Sequence, residues 1–296
     1  MNRLGRCSPQ RRFVMALNLP TEVEAQAIDG DVETVRGLLA TSENPNQLVE
    51  GAIEGAMSLL SLQKDADVVR GVFACVELCL DAGADPNVMW DERVCGTPLG
   101  EAVMQGRPEF VRLLLSAGAD PNVPPDPDGL TILRHACDLG GNRASRYEIV
   151  RLLLAAGADH AAQSNTWQGP TMTPFENAVC CGYHRLWPLF LQAGAAIPDI
   201  WKSTQARLEK RGNLPAQYAW QSPATDLALA KRYDYLAAIE TAGGFKAYEK
   251  AHTKALAATL AKKFPAHIPE EIFPRVVAFW AHAGFYVSLA AFMEIV

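Results

Sequence analysis

Gly96 to Asn122 reads GTPLGEAVMQGRPEFVRLLLSAGADPN, and this stretch decides how the rest of the chain is to be read. Thr97-Pro98 is a helix start: the hydroxyl can cap free backbone N–H groups, and the fixed φ of proline suits the first helical position. Gln105-Gly106-Arg107-Pro108 breaks that helix, and a second one runs through Phe110-Val111-Arg112-Leu113-Leu114-Leu115. It ends at Ala117-Gly118, where glycine can take the left-handed conformation that closes a helix. Ala-Asp-Pro-Asn then turns the chain. A helix–turn–helix unit with an extended turn cannot bury both of its faces alone, so it must stack on copies of itself.

Copies are present. LCLDAGADPNV begins at Leu78, LLLSAGADPNV at Leu113, LLLAAGADH at Leu152 and LFLQAGAAI at Leu189. Their glycines, Gly83, Gly118, Gly157 and Gly194, lie 35, 39 and 37 residues apart. Thr97-Pro98-Leu99, Thr131-Ile132-Leu133 and Thr173-Pro174-Phe175 each open a helix. From Thr97 to Gly118, from Thr173 to Gly194 and from Ser222 to Gly243 the distance is 21 residues each time, which adds a worn last unit. A regular period of this length is the signature of a solenoid.

The unit resembles the ankyrin repeat, and the resemblance runs from about Ala25 to Gly244. The fold expected is all-α: an ankyrin-repeat solenoid of five or six helix-turn-helix units with short β-turn fingers, plus C-terminal helices. Residues 1–20 read as a disordered leader, 21–244 as the array and 245–296 as a C-terminal helical cap or docking segment. AIDGDVETVRGLLA from Ala27 is a degenerate first unit. The sequence departs from the family in two ways. The histidine that follows TPL is Gly100, Arg134 and Glu176 in the third to fifth units, which predicts the loss of a hydrogen bond at each helix start. Insertions fall at 140–146 and 197–221, the second with a short helix near Ser203–Lys210, and solenoids place such insertions on one edge.

The 296 residues carry a net charge of −6, with 49% hydrophobic and 20% charged side chains, enough apolar material for a core. An acidic balance argues against non-specific nucleic-acid binding, and no apolar run is long enough to span a bilayer. Seven cysteines at irregular spacing do not form a secreted disulfide framework. These features predict an intracellular, most simply cytoplasmic, protein. Arg3, Arg6, Arg11 and Arg12 precede the first acidic residue, Glu22, and leave organelle import as the alternative.

Phe245–Phe264 reads as a helix with Tyr248, His252, Leu256, Leu260 and Phe264 on one face. Terminal repeats need a cap, which these residues can supply. Pro269-Glu270-Glu271-Ile272-Phe273 resembles an F-box start, and the helix–proline linker–helix order after the repeats resembles a SOCS box. Either resemblance implies an adaptor that docks a ubiquitin-ligase scaffold. A structural subunit of a larger assembly is the third reading.

Chemistry is not indicated. The sequence lacks a phosphate loop, an HExxH and a GxSxG elbow. Cys180, Cys181 and His184 are close in sequence but lack a second ligand pair at zinc spacing. No catalytic residue, cofactor or metal is expected, and the protein is expected to be monomeric by itself, with another protein as its partner. The resemblance implies contact positions on the inner helices and projecting turns. In the third unit these are Trp90, Asp91, Glu92, Arg93, Met104 and Gln105. The fourth contributes Asp126, Asp128, Leu130, Asp138 and Leu139, and the fifth Trp167, Gln168, Met172, Cys180 and Cys181. Trp90 and Trp167 fall in turn tips, where a large aromatic either contacts a partner or folds onto its own turn.

Overall fold

The computed structural model describes residues 32–41, 66–89, 96–123, 129–138, 143–166, 169–212 and 230–263. They fall into two compact units, divided between Thr171 and Met172. The first unit holds α1 (Val32–Thr41), α2 (Ala66–Asp81), α3 (Pro98–Met104), α4 (Pro108–Ser116), α5 (Ile132–Asp138) and α6 (Arg143–Ala155). A two-stranded hairpin follows, β1 (Ser164–Thr166) with β2 (Gly169–Met172). The second unit holds α7 (Pro174–Cys180), α8 (Trp187–Gln192), α9 (Ile200–Gly212), α10 (Asp234–Thr241) and α11 (Phe245–Lys263). Described strand is confined to that hairpin, in agreement with the all-α expectation.

In the first unit each short helix pairs antiparallel-fashion with the longer one that follows, α3 with α4 and α5 with α6, and like helices stack: α3 on α5, α4 on α6. This produces an inner row and an outer row. The core between the rows is built at helical spacing. Leu99, Ala102 and Val103 of α3 meet Phe110, Val111 and Leu114 of α4, and all are fully buried. Ile132, Leu133, Ala136 and Cys137 repeat the pattern on α5, and Ile149, Val150 and Leu153 on α6. Phe73 of α2 packs edge-on against Phe110 with ring centroids 5.3 Å apart. Across the outer row Glu148 of α6 accepts from Arg112 of α4 at 2.8 Å and from Arg151 at 2.7 Å. Those hydrogen bonds, the one from Arg151 foremost, hold the Glu148 carboxyl below its ordinary range.

The missing histidines are offset by the threonines before them. Thr97 Oγ1 accepts from the Gly100 amide at 3.1 Å and Thr131 Oγ1 from the Arg134 amide at 3.2 Å. At Thr173 the cap is reciprocal, since Glu176, at the histidine position, reaches back to the Thr173 amide at 2.8 Å. This capping box satisfies two orphan donors at once.

The helices α2, α4, α6, α8 and α10 end in the same way. The amide after the glycine reaches back five residues: Ala84 to Cys79, Ala119 to Leu114, Ala158 to Leu153, Ala195 to Phe190 and Gly244 to Ile239. The glycines of these caps have φ between 83° and 98°, so the worn unit ending at Gly243 closes its helix like the others. Beyond the cap the turns are tied to one another. Asn87 Nδ2 donates to Gly118 O and its Oδ1 accepts from the Asp120 amide. Asn122 makes the same two bonds to Gly157 O and to the Asp159 amide. The next position is Ala161, which has no side-chain amide with which to continue.

Both insertions are used for packing. The one at 140–146 lengthens the N-terminal end of the outer helix: α6 has 13 residues where α4 has 9. The insertion at 197–221 was expected at an edge. Its helix is longer, Ile200–Gly212, and packs directly on the inner helix α7. Trp201, Thr204 and Leu208 form the buried face that makes this contact, at spacings of three and four residues. The Ser222-Pro223 start of the last unit lies outside the described residues.

In the second unit Phe175 and Phe190 stack at 5.1 Å. Trp187 is fully buried, donates from Nε1 to Ala178 O at 3.1 Å and lies 4.8 Å from the ring of Tyr233. The Tyr233 hydroxyl donates to Val179 O, and burial pushes its ionisation up.

The cap at Gly118 yields a quantitative expectation. A Cβ built there meets nothing within 4 Å, so Gly118→Ala changes only backbone strain at φ 92°. Holding an L-residue left-handed costs roughly 1–2 kcal/mol. Urea unfolding of Gly118→Ala is expected to show that loss with an unchanged m-value; wild-type stability would mean that the cap contributes nothing.

Candidate functional site

The inner helices are short and one face of each is spent on the core, so few side chains are left to meet a partner. On α3 these are Glu101, Met104 and Gln105, which share a face by their spacing of three and four residues. Met104 is 43% exposed, unusual for a large apolar side chain here. Gln105 caps the helix and donates from Nε2 to Glu101 Oε1 at 2.7 Å, which fixes the polar border beside Met104. On α5 the equivalent positions are His135, half-buried, and Asp138, exposed. Asp138 pairs with Arg134, a buried residue at the former histidine position. Leu130, half-buried, precedes the Thr131 cap. Because α3 packs on α5, these positions form one continuous surface in the first unit.

The equivalent positions of α7 are closed. Cys180 corresponds to Met104 and Asp138, yet its thiol is half-buried and hydrogen-bonded to Thr204 of α9. Burial pushes its ionisation up. The insertion helix therefore covers the position that on α3 and α5 faces outward. Cys181 remains exposed, with Sγ 3.5 Å from Asn177 Oδ1. Met172, at the end of β2, is half-buried. Trp90, Asp91, Glu92, Arg93, Asp126, Asp128, Leu139, Trp167 and Gln168 lie outside the described residues, as does Pro269–Phe273.

One exposed apolar residue was not anticipated. Met89, at 58% the most exposed large hydrophobic side chain described, immediately precedes Trp90 in the turn after Asn87. Its signal is present in the sequence, since a residue just past a GADPN turn belongs to a finger.

Among the described residues no group of three or more histidine, cysteine, aspartate or glutamate side chains is arranged to hold a metal ion. None of the described helices is long and apolar enough to cross a membrane. Besides Cys180, Cys79 is in surroundings that favour the protonated thiol: burial pushes it up to about 12, with Cys75 adding to the effect.

In the first unit, then, paired helices stack in two rows, closed by glycine caps and tied by Asp-Asn turns. The family described as ankyrin repeats matches residues 66–164 in three copies. Residues 66–164 are an ankyrin-repeat array. The matched span runs from the first residue of α2 to the first residue of β1, so the α3–α5 surface lies wholly within the repeats. The chain is also similar to a solved ankyrin repeat domain from Acinetobacter baumannii AYE, with 26% identity over 59% of this chain and 98% of that domain, at a TM-score of 0.40. No curated protein matches the chain.

Closure of Cys180 by α9 sets an order of reactivity. Iodoacetamide at neutral pH is expected to label Cys181 before Cys180, and both well before Cys75, Cys79 and Cys137, as read by peptide mass spectrometry. Labelling of Cys180 ahead of Cys181 would contradict the packing of α9 on α7.

Proposed function

We propose that this ankyrin-repeat protein is a non-catalytic binding module that engages a protein partner through the inner-helix surface of α3 and α5 and the fingers beside it. Ankyrin repeats are in general protein–protein interaction modules, and what supports this reading most is a single observation: Met104 stands exposed on an inner helix whose other apolar residues are fully buried. A thioether is polarizable and flexible, and it adapts to the shape of an apolar partner group. Around it Glu101, Gln105, His135 and Asp138 form a polar border, the arrangement of a small interface with an apolar centre.

Trp90 with Arg93 and, on the next fingers, Asp126, Asp128, Trp167 and Gln168 are the proposed contacts beyond the helices. Tryptophan and arginine dominate binding energies where they become fully desolvated. In this reading the chain acts as a monomer and carries no cofactor, and its partner supplies an apolar side chain for Met104.

The experiment is affinity capture from native lysate with the wild-type chain and with Met104→Asp, bound proteins being quantified by mass spectrometry. A partner recovered by wild type is expected to fall at least about tenfold with Met104→Asp, since burying an unpaired carboxylate costs several kcal/mol. An unchanged melting temperature would show that the exposed substitution leaves the fold intact. Equal recovery by both baits would place binding elsewhere.

A further inference from the structure

The second unit contains a cleft of about 470 Å³ that is separate from the inner-helix surface. Its walls come from outer helices and the C-terminal helix: Trp187 at the start of α8, Tyr235 on α10, and Tyr248 and His252 on α11. None of its lining residues belongs to α7 or α9. The aromatic groups are already ordered by one another. Tyr235 and Tyr248 meet edge to face at 5.5 Å, and Tyr248 and His252 lie nearly parallel at 5.5 Å. Burial holds the His252 imidazole below its ordinary value, so this wall is neutral at physiological pH. Rings fixed before binding lose little entropy when a ligand arrives.

The rim has the opposite character. Lys231 and Arg232 are both exposed, and neither makes an ion pair among the described residues. The terminal nitrogen of Arg232 lies 2.6 and 2.9 Å from the two ring nitrogens of His184, a contact that leaves the guanidinium charge uncompensated. Asp234, the carboxylate at the rim, accepts from Gln205 at 3.2 Å instead. Elsewhere in the same unit Lys202 is matched with Glu240 at 2.8 Å. The mouth of an aromatic cleft therefore carries two cations with no ion pair among the described residues, in a chain whose net charge is −6.

We infer that this cleft binds a short acidic peptide segment of a protein partner, its aromatic or aliphatic side chain seated among Tyr235, Tyr248 and His252 and its carboxylates on Lys231 and Arg232. The two halves of the cleft require the two halves of the ligand. A basic or uncharged segment would cover the rim cations without compensating them. A free phosphate or other small anion would leave the aromatic walls unfilled, and a cleft of this size matches a ligand of several side chains. A nucleic acid is held by neutralising many phosphates, for which two cations are too few.

The test is fluorescence anisotropy on the full chain with a labelled hexapeptide of alternating glutamate and phenylalanine, and with its glutamine counterpart. Saturable binding is expected for the acidic peptide, weakened at least about tenfold by Lys231→Glu/Arg232→Glu and by replacing glutamate with glutamine, the loss of roughly 1.4 kcal/mol that tenfold represents. Amide chemical-shift changes are expected at Tyr235, Tyr248 and His252. Met104→Asp is expected to leave this binding untouched, so failure here is distinct from failure of the inner-helix interface. Three results would overturn the inference: no saturable binding up to about 1 mM peptide, equal binding of the glutamine peptide, or displacement by inorganic phosphate at concentrations where acetate has no effect.

Discussion

The structure depends on what happens in the few residues after each outer helix. A left-handed glycine turns the backbone back on itself, the Asp-Pro-Asn turn follows, and the asparagine side chain bonds both to the carbonyl of the next glycine and to the next aspartate amide. Asn87 bridges to Gly118 and Asp120, and Asn122 to Gly157 and Asp159. An amide group is needed because the bridge uses one donor and one acceptor from a single side chain. These contacts set the register in which α3 lies on α5 and α4 on α6. The exposed inner-helix surface is a product of that register, since Met104 and Asp138 reach corresponding places only if successive units superpose. Where Ala161 replaces the asparagine, the series of bridges stops, ten residues before the first compact unit ends at Thr171.

The two units solve the problem of their inner faces differently. In the first, an acidic and amide border surrounds an open thioether. In the second, the insertion helix α9 lies over α7, buries Trp201, Thr204 and Leu208, and half-covers Cys180. The outer side shows the reverse trend. The first unit matches charges there, with Glu148 between two arginines, while in the second Lys231 and Arg232, just ahead of α10, make no ion pair among the described residues. Open chemistry thus lies on the inner helices of the first unit and in the cleft beside α8, α10 and α11 of the second.

Much of this was legible in the sequence. The 21-residue interval from Thr97 to Gly118 specifies two helices and their cap, because threonine, proline and glycine each act through their own backbone restriction. The interval from Ser222 to Gly243 identifies the worn unit, and the cap at Gly243 has the same backbone bond as the rest. The packing of α9 was not legible. A hydrophobic period in Trp201, Thr204 and Leu208 shows that a face is buried and gives no information on which neighbour buries it. The cleft was equally hidden, since Trp187, Arg232 and Tyr248 lie far apart in sequence and only the folding of α8, α10 and α11 brings them together. Glu176 illustrates a subtler limit: in sequence it is a lost histidine, and only its side-chain direction makes it half of a capping box.

The most direct test of the turn-bridge account is amide hydrogen exchange of Asn122→Ala measured residue by residue. The account predicts that the Asp159 amide, which donates to Asn122, loses its protection, while the Asp120 amide, which donates to Asn87, keeps it. Unchanged protection at Asp159 would contradict the claim that the asparagine side chain links one repeat to the next.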